Sequence, residues 1–385
     1  MAIRNELRNI ELVQESTFGT DPGAGYVRVY NARDIDVQVD QKPLKRPIQI
    51  STLTLPDHVM GVKRASLSFK WEITGGRTAN PVTGDTATAS ELHELFKSIW
   101  ISQQGTSKAY ASGGASAQSD VVVAAGGAND FKIGQRIWDT QNGQQRIVAN
   151  WVNGTRTLTA NAPWTTSITG GVIASAWTYE QQTVAATVKS LTCRASIDSI
   201  DYVLKGGRVS KIALAATQAG EIPMLDVEIE FADWTTDAFT ATAANTLPAP
   251  AVMRGSPFWI GAAPVAATSY IDRLAFDFGT PIVHQRASEG SQGVVGVEYA
   301  EPGPKGSFSV YYASVVRDDW AAGTKRALWL PAGANAYSGF GLWVPQAQYD
   351  KHQHGDLDKL GVQMMGFEAK DNGTTSAPWV FSVAG

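Results

Sequence analysis

Strict alternation of apolar and polar residues is the feature that most constrains how this chain folds. Two segments show it most clearly, residues 34–40 and residues 225–231. In both, every odd position is apolar and every even position is polar and mostly acidic. Because successive side chains of an extended strand point to opposite faces, each segment predicts a strand with one dry face and one wet, acidic face.

Length and composition extend that prediction to the whole chain. The 385 residues suffice for two or three hydrophobic cores. With 12 Trp, 11 Tyr and 13 Phe and only 18% charged residues, the composition favours packed sheets over helix bundles. The formal net charge of −4 argues against general affinity for nucleic-acid phosphates, which needs an excess of basic residues.

Cysteine content and hydropathy address the compartment. Cys193 is the single cysteine, so an internal disulfide is excluded. No run of about 18 apolar residues occurs, which predicts a protein without a membrane anchor. We expect a soluble protein made in the cytosol.

The order of predicted elements occurs twice. The stretches "GVKRASLSFKWEI" from Gly61 and "PKGSFSVYYASVV" from Pro304 both alternate behind a basic residue. Each follows a predicted long loop, at 41–61 and 286–304, and each precedes a predicted helix, in "SELHELFKSIW" and "DDWAAGTKRALWL". Each half of the chain therefore reads strand, loop, strand, helix, strand, strand.

A Gly/Ser/Ala-rich segment and a run of short strands interrupt the first half. We predict a first β domain from residues 1–104 and 180–246, with a small inserted β module at 105–179 on the outer surface. A linker rich in proline and alanine spans 247–265, and a second β domain spans 266–385. The predicted fold class is mainly β, with two tandem domains of sandwich or barrel type, each with one flanking helix.

A search for catalytic chemistry finds little. No glycine-rich stretch ends in Gly-Lys-Ser/Thr, so a phosphate-binding P-loop is absent. His352 and His354 lie at alternate positions and present two imidazoles on one strand face, the weak signal of a metal site. Polar residues around Gly355 are equally typical of a solvated turn. We predict no enzyme activity and no cofactor.

Several stretches together resemble a known family. These are "VQESTFGTDPGAGYVRVY", the helix "SELHELFKSIW" and "GGRVSKIALAATQAGEIPMLDVEIEF". They are similar to the major tail tube proteins of long, non-contractile-tailed bacteriophages. The inserted "NDFKIGQRIWDTQNGQQRIVANWVNGTRTLTANAP" resembles small β modules that some of those proteins carry.

The resemblance implies a structural virion protein, assembled in the host cytoplasm, whose β-sandwich subunits form stacked hexameric rings. DNA passes through the resulting tube during ejection without specific binding. It also implies two partners, a tape measure protein and a tail terminator. Because this chain holds the element order twice, we expect three chains to close one pseudo-hexameric ring.

The resemblance also assigns roles to two sets of residues. The acidic strand faces would line the lumen, through Asp34, Asp36, Asp40, Asp226, Glu228 and Glu230. The alternative is that these are exposed edges of an ordinary soluble sheet. The first long loop would reach the next ring, through Pro43, Lys45, Arg46 and Pro47. The alternative is a mobile surface loop without a partner.

Two other functions remain open at this point. A capsid decoration protein or minor virion structural protein has the same strand-rich, site-poor composition. A carbohydrate-binding β protein would use clustered aromatic residues, and the inserted module supplies Trp138, Trp151 and Trp164. Three tryptophans in a small module more often form its core.

Overall fold

The structure is a computed structural model dominated by antiparallel strands. It describes residues 8–44, 59–76, 79, 82–112, 119–124, 127, 130–164, 171–181, 188–197, 200–218, 220–242, 249–253, 258–261, 263–264, 271–280, 282–286, 294–300, 303–311, 314–333, 335–357, 360–371 and 377–384. The prediction of a mainly β chain is confirmed.

The elements before the inserted segment are five strands and one helix. They are β1 (Arg8–Gln14), β2 (Val27–Val29), β3 (Ala32–Leu44), β4 (Val59–Glu72), α1 (His93–Ile99) and β5 (Trp100–Gln104). The next six strands are β6 (Lys108–Ser112), β7 (Asp120–Val123), β8 (Arg136–Asp139), β9 (Gln144–Val152), β10 (Thr157–Ala160) and β11 (Val172–Ala174). Those six close into a small barrel in the order β10-β7-β6-β11-β8-β9.

The rest of the chain returns to the large sheets. The elements up to residue 277 are β12 (Ala176–Gln181), β13 (Leu191–Ile197), β14 (Ile200–Gln218), β15 (Met224–Phe231), β16 (Asp233–Thr236), β17 (Trp259–Ile260), β18 (Ala263–Pro264) and β19 (Ile271–Asp277). The remainder are β20 (Ile282–Arg286), β21 (Val294–Tyr299), β22 (Lys305–Tyr311), α2 (Ser314–Ala322), β23 (Lys325–Ala332), β24 (Phe340–Leu357), β25 (Leu360–Ala369) and β26 (Val380–Ala384).

Eight of these strands form one continuous antiparallel series. Its order is β3, β4, β15, β14, β19, β22, β25, β24. The first four strands and the last four have the same internal order. β4 pairs with β15, which pairs with β14, and in the same way β22 pairs with β25, which pairs with β24. The same arrangement of four strands therefore occurs once in each half of the chain.

The registers of the two sets match at the strand that follows each loop. Ser66 and Ser68 of β4 lie opposite Glu230 and Glu228 of β15. In β22, Ser307 and Ser309 lie opposite Gly366 and Met364 of β25. The Ser-x-Ser pairs of the two opening stretches thus occupy equivalent places, one in each half.

A strand pairing joins the two sets. Residues 213–218 of β14 pair with residues 273–277 of β19, which makes one sheet of both halves. At the two ends of the series, the outer strand edges lack a partner strand in the described part of the chain. In the described part of the chain, β3 pairs with β4 alone, and residues 349–357 of β24 pair with β25 alone.

One hydrophobic core runs behind the sheet and includes residues of both halves. Its centre is aromatic. Trp100, which follows α1, lies 5.2 Å from Phe96, 5.0 Å from Phe278 and 4.8 Å from Trp379, measured between ring centroids. Since Phe278 and Trp379 come from the second half, the two halves fold around a shared core.

A buried carboxylate links the start of α1 to the sheet. Glu91 accepts hydrogen bonds from Trp71 Nε1 at 2.5 Å and from the backbone amides of Tyr30 and Asn31 at 2.6 and 3.2 Å. Burial raises the pKa of Glu91, although the same hydrogen bonds act to lower it. α1 itself is held by apolar contacts, because Leu95 and Phe96 are fully buried.

The small barrel packs against the second half rather than standing apart. Arg136 at the start of β8 is fully buried; its amide donates to Ser382 Oγ at 2.9 Å and its Nη2 to the carbonyl of Asn335 at 2.8 Å. Burial lowers the pKa of Arg136 to about 9. Its side chain passes Gly341, where a β-carbon would lie 2.8 Å from Arg136 Cβ. Gly341 therefore provides the space in which the barrel contacts β24.

The tryptophans of the inserted segment lie in packed regions. Trp164 is buried in the barrel core, and Trp151 packs edge-on against Phe131 at 5.1 Å. Trp138 is 9% exposed and lies beside the Arg136 guanidinium. These contacts are those of core residues.

Three expectations about local structure are wrong. The helix predicted over "DDWAAGTKRALWL" begins earlier and ends at Ala322, because Gly323 has a φ of 64° and stops it. The segment from Lys325 is strand β23. The loop predicted at 41–61 is partly strand, since β3 continues to Leu44 and β4 begins at Val59. The loop predicted at 286–304 is also partly strand, because β21 lies within it and pairs with β20.

Candidate functional site

The solvent-facing side of the first four strands carries the acidic residues singled out from the sequence. On β15, alternate residues are buried, and Asp226, Glu228 and Glu230 occupy the other face. On β3, Asp36 and Asp40 are exposed on the same side of the sheet. β4 lies between these two strands and presents Ser66 and Ser68. The structure therefore brings the acids of two distant segments onto one face, termed the acidic face below.

Strand register arranges the acids in rows. Asp36 and Glu228 lie on either side of Ser68 in one row. In the next row Gln38 and Glu230 lie on either side of Ser66. A strand spacing of about 4.8 Å separates neighbours along each row, so the serine keeps the two charges of the first row apart.

Asp34 lies at an irregular point of β3. Its φ of 52° is in the left-handed region, and the register between β3 and β4 shifts there. The carboxylate is exposed and accepts a hydrogen bond from Lys70 Nζ at 2.9 Å. That hydrogen bond and the lysine charge lower the pKa of Asp34. The same hydrogen bond and the carboxylate charge raise the pKa of Lys70.

Basic side chains share this face, which sequence reasoning missed. Lys211 of β14 lies 3.0 Å from Glu228, and this hydrogen bond raises the pKa of the lysine. Arg208 of β14 lies opposite Glu230, and Lys70 lies opposite Asp226. The acidic face is thus a surface of alternating sign. The sequence held one signal of it, since Lys70 alternates in phase with Ser66 and Ser68.

The equivalent face of the second half has a different chemistry. The positions that match Glu230 and Glu228 are Gly366 and Met364, and the position that matches Asp36 is Arg273. These small and basic residues leave a cavity of about 410 Å³, lined in part by Arg273, Lys351 and Met364. The two halves share a fold but not a surface charge.

The residues assigned to a stacking contact are described only at one end. Pro43 lies in β3 opposite Met60 of β4. Lys45, Arg46 and Pro47 lie outside the described residues. Leu44 and Met60, at the end of this hairpin, are each 51% exposed. An exposed apolar hairpin end is a feature of a surface that contacts another molecule.

His352 and His354 lie on β24 with ring centroids 4.8 Å apart. Among the described residues, no three His, Cys, Asp or Glu side chains come close enough together to hold a metal ion. His352 instead lies under Trp320 of α2, with centroids 5.3 Å apart. The pair is part of an aromatic patch beside α2.

None of the helices that the structure describes is long and apolar enough to cross a membrane. Comparison with known proteins gives one match and one negative result. A family model described as "Phage tail tube protein" matches residues 8–375, nearly the whole chain. No curated protein matches the chain.

Proposed function

The chain belongs to the phage tail tube protein family, and from that membership we propose that it forms stacked rings through which phage DNA passes during ejection. Membership makes it a structural component of the virion tail. The finer statements that follow concern ring composition, lumen and partners. They are argued from the contacts of the described strands.

The observation that carries the proposal is the joint between β14 and β19. This joint adds the first strand of one four-strand set to the last strand of the other. Within the described residues, the strand series then ends in two edges without a partner strand, β24 and β3. Unpaired strand edges readily add another strand, and natural proteins usually cover them. We propose that β24 of one chain pairs with β3 of the next, as β14 pairs with β19 within a chain.

Repetition of this contact around a closed ring fixes the number of chains. If the tube has six positions per ring, as the family resemblance implies, one chain fills two of them and three chains close the ring. Contacts of this head-to-tail kind form rings when their rotations sum to a full turn. Half of the joints are then intramolecular, which lowers the entropic cost of assembly.

The matching strand sets also support the proposed division of the chain. In it, residues 1–104 and 180–246 form the first tail-tube-like domain and residues 266–385 the second, after a linker at 247–265. The module at 105–179 decorates the outer surface. The closed barrel of β6 to β11 lies within that module.

The acidic face is proposed to line the lumen, with Asp34, Asp36, Asp40, Asp226, Glu228 and Glu230 directed at the passing DNA. The basic neighbours change the expected mechanism. A surface of alternating sign offers phosphates no continuous row of cations, so DNA gains little by stopping there. The lumen then acts by lacking a binding site rather than by strong repulsion.

The remaining proposals concern contacts outside the ring. The loop that contains Pro43, Lys45, Arg46 and Pro47 would contact the next ring and set the stacking into a helical tube. A tape measure protein would fix tube length and a terminator protein would end it. Assembly would take place in the host cytoplasm, as part of a long, non-contractile tail.

Electron microscopy of the purified full-length chain tests the function. We expect rings or tubes in negative stain at high protein concentration. If a protein that unfolds cooperatively gives only monomers at every concentration, self-assembly is contradicted. The alternative of a capsid decoration protein would then be favoured.

A further inference from the structure

The patch formed by Trp320, His352 and His354, termed the seam patch, is the feature of the surface that the proposed ring does not yet explain. Trp320 is 40% exposed, although tryptophan is rarely left uncovered in a soluble fold. It lies on the side of α2 next to the unpaired edge of β24. His354 is exposed and His352 is half-buried.

Comparison of the two halves shows that these positions are normally core. Val209 of β14 lies opposite Ile229, which lies opposite Leu67 of the first Ser-x-Ser stretch. In the second half, His352 lies opposite Met365, which lies opposite Phe308 of the second Ser-x-Ser stretch, so His352 has the place of Val209.

The same comparison assigns the second histidine. Ile212 lies opposite Val227, which lies opposite Phe69. His354 lies opposite Gln363, which lies opposite Val310, so it has the place of Ile212 in the second half. Val209 and Ile212 are both fully buried. The two histidines therefore replace two core residues.

The edge of β14 at Ile212 is occupied by the internal joint. The amide of Phe278, which follows β19, donates to the carbonyl of Ile212 at 3.1 Å, and both residues belong to the shared core. In the second half the strand that would occupy the matching edge is missing from the described chain. The first strand of another copy, β3, is the equivalent element and has its own outer edge unpaired.

We propose that the seam patch is covered by the first half of a second copy of this chain and that ring closure requires a neutral His352. The inference rests on the proposed ring and adds to it a regulated contact. It places imidazoles on the outer side of the joint at which the ring closes.

The surroundings of His352 explain why its protonation opposes closure. His354 lies on the same strand, Arg317 approaches from α2, and β25 contributes the uncharged Met365 and Gln363. Behind them Asp319 forms an ion pair with Arg326 at 2.8 Å, close to Tyr349, so this carboxylate is already engaged. His352 Nε2 is buried without a hydrogen-bond partner among the described groups. Arg317 is itself paired with Asp318 at 2.7 Å. A proton on His352 would add a cation beside this ion pair, and its Nε2 has no carboxylate partner among the described groups.

The direction of the pH effect follows. Burial, and then the charges of His354 and Arg317, lower the pKa of His352 in the single chain. Covering the patch would lower that pKa further, because burial disfavours the charged form. Closure is then unaffected while the pH stays above the lowered pKa of His352 in the single chain, and it weakens as the pH falls through that pKa.

The test replaces both histidines by the residues found at the matching places of the first half, in the variant His352→Val/His354→Ile. Ring formation of the full-length chain is measured by sedimentation velocity between pH 8 and pH 5. We expect the wild-type association constant to fall roughly tenfold or more between pH 7.5 and pH 5, and that of the double variant to change by less than about twofold.

A second variant probes the contact itself. Trp320→Ser should weaken ring formation by about tenfold or more at both pH values, because a tryptophan centred in an interface commonly contributes most to its affinity. Val152→Ser, an exposed apolar position of the small barrel, is the matched control and should leave association unchanged. Circular dichroism of the monomers establishes that each variant is folded.

The outcomes separate this inference from the proposed function. If wild type and double variant both form rings and their association constants depend on pH in the same way, the proposed role of the seam patch is wrong and the proposed ring is not affected. A wild-type chain that forms no ring at pH 7.5 would overturn the ring, and the seam patch with it.

Discussion

Glu91 shows at the scale of one residue how the fold holds a polar group inside its core. The carboxylate has three hydrogen-bond donors, from Trp71 and from the amides of Tyr30 and Asn31. An amide in its place would accept with one atom only and would turn an N–H group toward another donor. The position is therefore specific for a carboxylate rather than for any polar side chain.

Replacement of Glu91 by Gln tests this. We expect Glu91→Gln to lower the free energy of unfolding by about 1–3 kcal/mol, the usual cost of unsatisfied buried donors. Glu94→Gln on the same helix is the control, since the half-buried Glu94 pairs with the exposed Lys97 at 3.5 Å and accepts no hydrogen bond shorter than that from it. Equal melting temperatures for the two variants would contradict the assignment.

The same variant has a predicted pH dependence. Because the pKa of Glu91 is raised in the folded state, the folded chain binds the proton more tightly than the unfolded chain. Wild-type stability contributed by this group therefore increases as the pH falls from 7.5 to 5. The deficit in melting temperature of Glu91→Gln should be larger at pH 5 than at pH 7.5, as measured by calorimetry.

At the scale of elements, the sequence predicts best where one strand or helix carries its whole signal. The alternation of residues 225–231 matches the burial of β15 residue by residue. The apolar spacing of α1 is likewise confirmed, with Leu92, Leu95, Phe96 and Ile99 all buried. The helix begins at His93, and its cap Leu92 makes no side-chain hydrogen bond.

Contacts that depend on the register of a neighbouring strand cannot be predicted from the pattern of one segment. The pairing of Lys211 with Glu228 depends on the register of β14, which includes an irregularity between Val209 and Lys211. The replacement of two core residues by His352 and His354 becomes visible only when the two sheets are compared row by row. The failed prediction of α2 has a local cause, since Gly323 reads as a tolerable residue inside an apolar helical pattern.

Docking of the small barrel can be tested at Gly341. A β-carbon there would lie 2.7 Å from Ser382 Oγ and 2.8 Å from Arg136 Cβ, in the contact between barrel and sheet. We expect Gly341→Ala to cost about 1–3 kcal/mol, as overpacking does. Gly361→Ala is the matched control in the same sheet, because no atom lies within 4 Å of its added carbon. Thermal unfolding that ranks the two variants equally would contradict tight docking.

The long loop after β3 offers a test of ring stacking. Deleting residues 42–48 should leave folded monomers and single rings and should abolish tubes, because the loop is proposed to contact the next ring. Electron microscopy and circular dichroism distinguish the two effects. Tubes of normal length from the deletion variant would leave the loop without a stacking role.

At the scale of the whole molecule, one chain presents two unlike faces in a single sheet. The face of the first half carries side chains of alternating charge, and the face of the second half carries small, apolar and some basic side chains. A ring of three chains would therefore repeat its surface chemistry three times, even though its backbone repeats six times. Pseudo-symmetry of this kind needs only conserved strand order and core.

The lumen proposal predicts how charge affects DNA passage. In phage that carry Glu228→Gln, Lys211 loses its partner and a cation faces the lumen. Phosphates then gain a contact, and we expect slower genome ejection in a dye-release assay. Glu228→Gln combined with Lys211→Gln removes both charges and should restore the rate. Wild-type kinetics in the single variant would remove this face from the lumen.

The two halves of one chain are proposed to occupy two neighbouring positions of a ring. The mass of a single ring measures this directly, by native mass spectrometry of rings from the purified full-length chain. We expect three chains, each of 41.2 kDa, and threefold symmetry in averaged images of the same rings. A ring of six chains would contradict this proposal.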